Sequence, residues 1–261
     1  MTRDPFADIR RALADGESTA KDEVASAGES TPSLRLDSGR SLRTGIPEVV
    51  LAERKTVEDV AASLLRLASI QGRALASRLR PDQATALADM IGDGYVVEID
   101  AIARTAIVST EGSDRPVTGG RVAIIAAGAS DRPVAREAEI MAAEMGCEVI
   151  SVADVGVAGL HRLIRPLEAV VAFEPDTLIV AAGMDGALPS VIAGLVPIPV
   201  IGLPVSVGYG YGGDGTGALM SMLQSCAPGL AVVNIDNSIG AGSMAALIAN
   251  RAAAHRQNRI S

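Results

Sequence analysis

The stretch Arg121-Val-Ala-Ile-Ile-Ala-Ala-Gly-Ala-Ser-Asp-Arg-Pro133 decides the fold. Six apolar residues, 122–127, run into Gly128, Ala129, Ser130 and Asp131. A helix then opens with Pro133 in its first turn, where a missing N–H costs nothing. The same order of apolar strand, Gly/Pro/Ser/Asp loop and amphipathic helix recurs to residue 254, with further strands expected over 149–153, 178–182, 200–203 and 232–235. Each is short and apolar on both faces, as in a parallel sheet covered by helices. The pattern predicts an α/β three-layer parallel-sheet sandwich with right-handed crossovers. In such sheets ligands bind beyond the strands' carboxyl ends, so site residues are sought just after each strand.

Outward from this repeat, 112–120 reads as a Gly/Pro linker, and 34–112 as a small α+β domain. There a strand is expected over 46–51, a helix capped at Thr56, a second helix from Pro81 to about Met90, and strands over 95–99 and 105–108. Residues 1–33 read as a short helix over 8–13 and then a flexible arm of Ser, Thr, Ala, Gly and charge. The catalytic domain is expected over 121–254.

Composition narrows the function. Of 261 residues, 48 % are hydrophobic but only 2 % aromatic, with no Trp, so the core is built of Ala, Val, Ile and Leu. Acidic residues outnumber basic ones by 31 to 23, for a net charge of −8. A nucleic-acid partner would call for a basic field and stacking aromatics. Cys147 and Cys226 stand far apart and suggest free thiols in a reducing cytosol. No apolar run reaches the ~18 residues of a bilayer span. The opening Met-Thr-Arg-Asp-Pro-Phe lacks a signal peptide's apolar stretch. The expectation is a cytoplasmic protein without a membrane partner.

Each post-strand loop has two readings. Gly128, Ser130 and Asp131 either cradle a phosphate at a helix N-terminus or simply cap the helix. Asp154 ends the second strand, and His161 lies just beyond it; that histidine is an acid–base candidate or a helix-surface residue. Gly183 and Gly186 flank Asp185, which fits close approach to a ligand or a plain glycine turn. Gly208, Gly210 and Gly213 match the dinucleotide fingerprint in form only, because they follow the fourth strand rather than the first. A mobile active-site loop suits them better. Cys226, expected at a helix end before the last strand, is a nucleophile or a small buried residue. Asp236, Asn237 and Gly240 form a second possible phosphate cradle.

Taken together, several runs resemble the LarB family, the pyridinium-3,5-biscarboxylic acid mononucleotide synthases of nickel-pincer cofactor synthesis. They are Asp154-Val-Gly-Val-Ala-Gly-Leu-His-Arg162, Ala182-Gly-Met-Asp-Gly-Ala-Leu-Pro-Ser190, Ser206-Val-Gly-Tyr-Gly210, Ser225-Cys226 and Val232-Val-Asn-Ile-Asp-Asn237. At the front, Leu36-Asp37, Arg40, Arg43, Gly45-Ile-Pro-Glu-Val-Val50 and Lys55-Thr56 look like the same family's N-terminal domain. The C-terminal half also resembles aminoimidazole ribonucleotide carboxylase, which implies a flavodoxin-like sheet. Asp185 departs from a common Glu, Ser238 from a frequent Gly, and Leu51-Ala52-Glu53-Arg54 from a more glycine-containing stretch.

The resemblance implies a reaction. Nicotinic acid adenine dinucleotide, CO₂ and water give the biscarboxylated mononucleotide and AMP. A thiolate adds to C6 of the pyridinium, C5 becomes enamine-like and attacks CO₂, a base removes the C5 proton, and the thiolate leaves. The resemblance points to Cys226 as nucleophile, with His161 and Asp185 as acid–base candidates. Gly128, Ser130, Asp131, Gly183, Gly186, Gly208, Gly210 and Asn237 are expected to hold substrate and phosphates. Mg²⁺ is expected at the diphosphate, with Asp154 and Asp236 as candidate ligands. By analogy the chain forms a homo-oligomer, an octamer, with the last Ala-rich helix packed between subunits. The rivals are a true purine-pathway carboxylase and a non-catalytic nucleotide-binding protein.

Overall fold

The structure, a computed structural model, describes Arg10 and residues 36–258. Apart from Arg10, the expected arm over 1–33 lies outside the described residues. The chain divides into two compact units, one ending at Ser113 and the other beginning at Asp114.

The first unit contains α1 (Arg40–Thr44), β1 (Val49–Leu51), α2 (Val57–Gln71), β2 (Arg73–Ser77), α3 (Pro81–Met90), β3 (Tyr95–Asp100) and β4 (Thr105–Thr110). Thr56 caps α2 by accepting from the Asp59 amide. Gly72, at φ +82°, ends that helix in a left-handed turn and releases β2. The sheet order is β1-β2-β4-β3, with β1 and β2 parallel and the other pairs antiparallel. One core cluster joins Val60, Leu64 and Leu67 of α2 to Val50, Ala74, Ala76, Ala106 and Val108 of the sheet.

The second unit holds β5 (Arg121–Ala126), α4 (Arg132–Glu144), β6 (Glu148–Ala153), α5 (Ile164–Ala172) and β7 (Thr177–Ala182). After these come α6 (Leu188–Ala193), β8 (Val200–Pro204), α7 (Thr216–Leu223), β9 (Leu230–Val232) and α8 (Ser238–Gln257). The parallel sheet runs β6-β5-β7-β8-β9, the flavodoxin-like order, with its switch point between β5 and β7. Period two sorts the strands by face. Ala123, Ile125, Leu178 and Val180 cluster with Val170 of α5, Leu188 and Ile192 of α6 and Met222 of α7. The opposite face is covered by α4 and α8.

Two details of the second unit differ from expectation. The last strand sits two residues early, because the chain turns away after Val233: Asn234 Oδ1 accepts from the Ile235 amide, and Asp236 is left-handed at φ +52°. The glycine linker seats on the second unit, where Thr118 Oγ1 lies 2.8 Å from the Gly146 carbonyl oxygen and 2.6 Å from Asn250 Oδ1, its one proton serving either acceptor. The small residues of α8 are used inside the unit. Ala241, Ala245, Ala246 and Ala249 are buried, and a Cβ on Gly242 would stand 2.6 Å from the Ala138 carbonyl oxygen of α4. Their smallness serves close helix–helix approach within the unit.

Candidate active site

The switch point is closed by one buried side chain. Asp131 accepts from the Gly128 amide through Oδ2 at 2.7 Å and from the Gly183 amide through Oδ1 at 3.1 Å. It thereby ties the loop after β5 to the loop after β7. Burial pushes its carboxyl up from the ordinary range, against the lowering effect of those two amides. It makes no side-chain cap to α4. The cradle expected of Gly128, Gly183 and Gly186 is therefore largely occupied: the first two amides serve Asp131, and the third donates to the Gly183 carbonyl at 2.9 Å. Gly183 must be glycine because a Cβ would stand 2.2 Å from the Val207 carbonyl oxygen. At Gly186, with φ +58°, a Cβ would stand 2.6 Å from the Ala218 carbonyl oxygen of α7. Ser130 remains exposed beside them.

Three residues that follow strands adopt left-handed backbone: Asp154 at φ +62°, Met184 at +50° and Asp236 at +52°. Non-glycine residues rarely take this conformation outside turns and functional sites. Asp154 pairs with Arg162 at 2.9 Å, and Asp236 Oδ1 accepts from the Ser206 amide at 2.9 Å. Asp236 thus binds the β8 loop to the β9 loop. Asn237 caps α8 by accepting from the Gly240 amide at 3.0 Å. Ser238 donates to the buried Glu137 carboxylate, which gives the expected glycine position a use for a hydroxyl.

Gly208 and Gly210 belong to an open cavity of ≈ 740 Å³ lined by Gly208–Asp214, Thr216, Gly217 and Met220. Tyr209 and Tyr211 stand fully exposed on it, beside exposed Met184 and Met220. The sequence reading passed over these tyrosines. Two of the chain's three Tyr on one glycine loop were the signal available.

The two cysteines part company. Cys147 is buried, donates to Asn250 Oδ1 at 3.3 Å, and is pushed up to about 11 by burial and by the Asp176 charge. Cys226 is exposed. It does not end a helix: α7 stops at Leu223, and Cys226 lies in the loop entering β9. That loop precedes a strand and so belongs to the amino side of the sheet. Ser190 offsets this by donating from the first turn of α6 to Ser225 Oγ at 2.8 Å, while Ser225 Oγ accepts from the Ala227 amide at 3.1 Å. The loop that carries Cys226 is thereby tied, through Ser225, to the helix that follows Asp185. Asp185 itself is exposed, its Oδ1 facing the Ala187 amide.

His161 is not part of this group. It is exposed in the short 3-10 stretch after β6. β6 and β9 are the two edges of the sheet, four strand spacings or ~19 Å apart. Strand order therefore sets His161 apart from the loop that carries Cys226 within one subunit.

The carboxylates were also candidates for Mg²⁺. Among the described residues no three His, Cys, Asp or Glu side chains group closely enough to hold a metal ion. Asp154 and Asp236 already have the partners named above. This donor set does not fit a resident metal. Nor, among the described residues, is any helix long and apolar enough to cross a membrane.

Residues 121–261 match the AIR carboxylase family, and residues 29–110 match the LarB/PurE-like N-terminal domain. The chain belongs to the LarB-like family. An uncharacterized protein of Methanocaldococcus jannaschii is 43 % identical over 220 residues, covering 83 % of this chain and 84 % of that one. An N5-carboxyaminoimidazole ribonucleotide mutase of the same organism is 34 % identical over 117 residues, covering 44 % of this chain and 68 % of its own. The LarB-like chain thus joins a carboxylase-type α/β domain to an N-terminal domain that the mutase match does not span.

Proposed function

We propose that this LarB-like protein carboxylates C5 of the pyridinium ring of nicotinic acid adenine dinucleotide and cleaves its phosphoanhydride. The products are the biscarboxylated mononucleotide and AMP. The observation that supports this best is the exposed thiol of Cys226, fixed through Ser225 and Ser190 to the helix after Asp185. The Cys226 thiolate adds to C6, forming the C–S bond and a neutral dihydropyridine. C5 then attacks CO₂. Asp185 takes the C5 proton, the C–S bond breaks, and aromaticity returns with no net redox change. Tyr209 and Tyr211 offer ring faces to the cationic pyridinium or to adenine. Ser130 and the 206–215 loop supply contacts to ribose and phosphate. A divalent ion, if used, arrives with the substrate's diphosphate.

A second reading, carboxylation of aminoimidazole ribonucleotide, is favoured by the match of residues 121–261 to its family. The purified protein incubated separately with each substrate and bicarbonate separates the two. AMP release with a gain of one carboxyl on the pyridine mononucleotide is expected. Turnover of aminoimidazole ribonucleotide alone would transfer the assignment to the purine reaction.

A further inference from the structure

We propose that the outer face of the first sheet is the docking site of the chain's own N-terminal segment, with Phe6, Ile9 and Leu13 laid across it. The inference does not rest on the reaction assigned to Cys226. Period two divides the residues of β2 and β4 between two faces. Val50, Ala74, Ala76, Ala106 and Val108 face the cluster built with α2 and α3. Leu75, Ser77, Thr105, Ile107 and Ser109 alternate with them and point the other way. A bare outer face would be wet. Its centre is closed instead: Leu75 is 3 % exposed, Ser77 0 %, Thr105 1 % and Ile107 7 %. Only the edges stay open, at Leu51 of β1 and Val96 of β3. No described helix of the first unit accounts for this. α2 and α3 pack into the inner cluster, and α1 buries no residue.

The chain before Leu36 supplies an occupant of the right chemistry. Its large apolar residues are Met1, Phe6, Ile9, Leu13, Val24 and Leu34. Phe6, Ile9 and Leu13 recur at i, i+3 and i+7, which makes one stripe on the helix expected over 8–13. Asp8 and Arg11 fall on the opposite side of that helix. Arg10, which borders the stripe, is helical in the structure. It is engaged in a polar interaction, as are Arg73, Ser77 and Asp100 of the outer face. Charge is complementary as well: Glu98 and Asp100 border the buried centre on β3, and Arg10 borders the apolar stripe. Reach sets no limit. Residues 14–35, fully extended, span up to ~70 Å.

The test is hydrogen–deuterium exchange of the full chain, read by mass spectrometry over β2 and β4. Phe6→Asp and Ile9→Asp each place a charge on the stripe, and Arg11→Gln alters the opposite side. Exchange over β2 and β4 is expected to rise about 5-fold or more in both aspartate variants. It should match wild type in Arg11→Gln, and exchange over β5 and β7 should not change in any variant. Dilution of wild type identifies the donor of the segment. Protection that does not depend on protein concentration assigns the face to the chain's own segment, as proposed. Protection lost on dilution assigns it to the segment of a second copy and overturns the proposal. Unchanged exchange over β2 and β4 in both aspartate variants also overturns it and gives the face to another occupant. Should an aspartate variant fail to fold, Ile9→Ala decides: a rise of about 2-fold supports the proposal, and no rise overturns it.

Discussion

At the scale of single residues, Asp131 and Asp185 do opposite kinds of work. Asp131 is a buried carboxylate whose two acceptors face two amide donors. Asparagine there sets an NH₂ against one of them, and the Asp131→Asn variant should lose about 1–3 kcal/mol by urea unfolding. The pH dependence has a fixed sign. Because burial raises the folded carboxyl above its unfolded value, its favourable term is full in acid and is lost as pH climbs through the raised value. The variant should lack this downward slope just above the ordinary carboxylate range. Asp185, exposed and proposed to take the C5 proton, should matter to rate rather than stability. Asp185→Asn should cut carboxylation by roughly 10²–10⁴ with an unchanged melting temperature. Asp185→Glu should retain most of it, and an inactive Glu variant would argue that the shorter side chain sets the proton-transfer distance. The cross-link made by Asp131 was not legible in the sequence, which offered a helix cap or a phosphate contact. A cap and a cross-link use the same residue, and only the adjacency of β5 and β7 turns one into the other.

At the scale of elements, legibility followed composition. The strands of the second unit are rich in Val, Ile, Ala and Leu, and β5, β6, β7 and β8 stand within a residue of their expected ends. β2 was invisible because Arg-Ala-Leu-Ala-Ser, 73–77, has no β-branched residue and reads as more of the preceding helix. It becomes a strand because Gly72 ends α2 and because Ala74 and Ala76 fill the space against Leu64 and Leu67. The Ala-rich α8 shows the same limit from the other side. A stripe of small residues announces close packing without naming the partner, which here is α4. Gly242→Val should therefore destabilise the second unit by about 1–3 kcal/mol, seen as a lower urea midpoint, since the Ala138 backbone cannot move aside. An unchanged midpoint would mean that α4 and α8 are less tightly seated than these contacts indicate.

At the scale of the whole molecule, the LarB-like chain leaves an apolar stripe unburied within the second unit. Leu160, Ile164 and Val171 are exposed around α5, beside the edge strand β6, at spacing that puts them on one face. We expect an even-numbered assembly through this face rather than through α8. Ile164→Asp should shift the mass measured by light scattering toward the monomer, while Met244→Asp, on exposed α8 surface, should not. Strand order also governs the chemistry. The sequence named Cys226, Asp185 and His161 as one catalytic group. The order β6-β5-β7-β8-β9 puts His161 at the far edge, and the Ser190–Ser225 bond links the loop that carries Cys226 to the helix after Asp185. No local pattern encodes such a separation. The most direct test of the account is mass spectrometry of products formed from nicotinic acid adenine dinucleotide and ¹³C-bicarbonate by wild type, Cys226→Ser and Cys147→Ser. Label should enter the pyridine ring with wild type and Cys147→Ser, and should be almost absent with Cys226→Ser, because an alkoxide is hard to form near neutral pH and hard to expel. Full ¹³C incorporation by Cys226→Ser, free of wild-type carryover, would contradict carboxylation through a cysteinyl adduct.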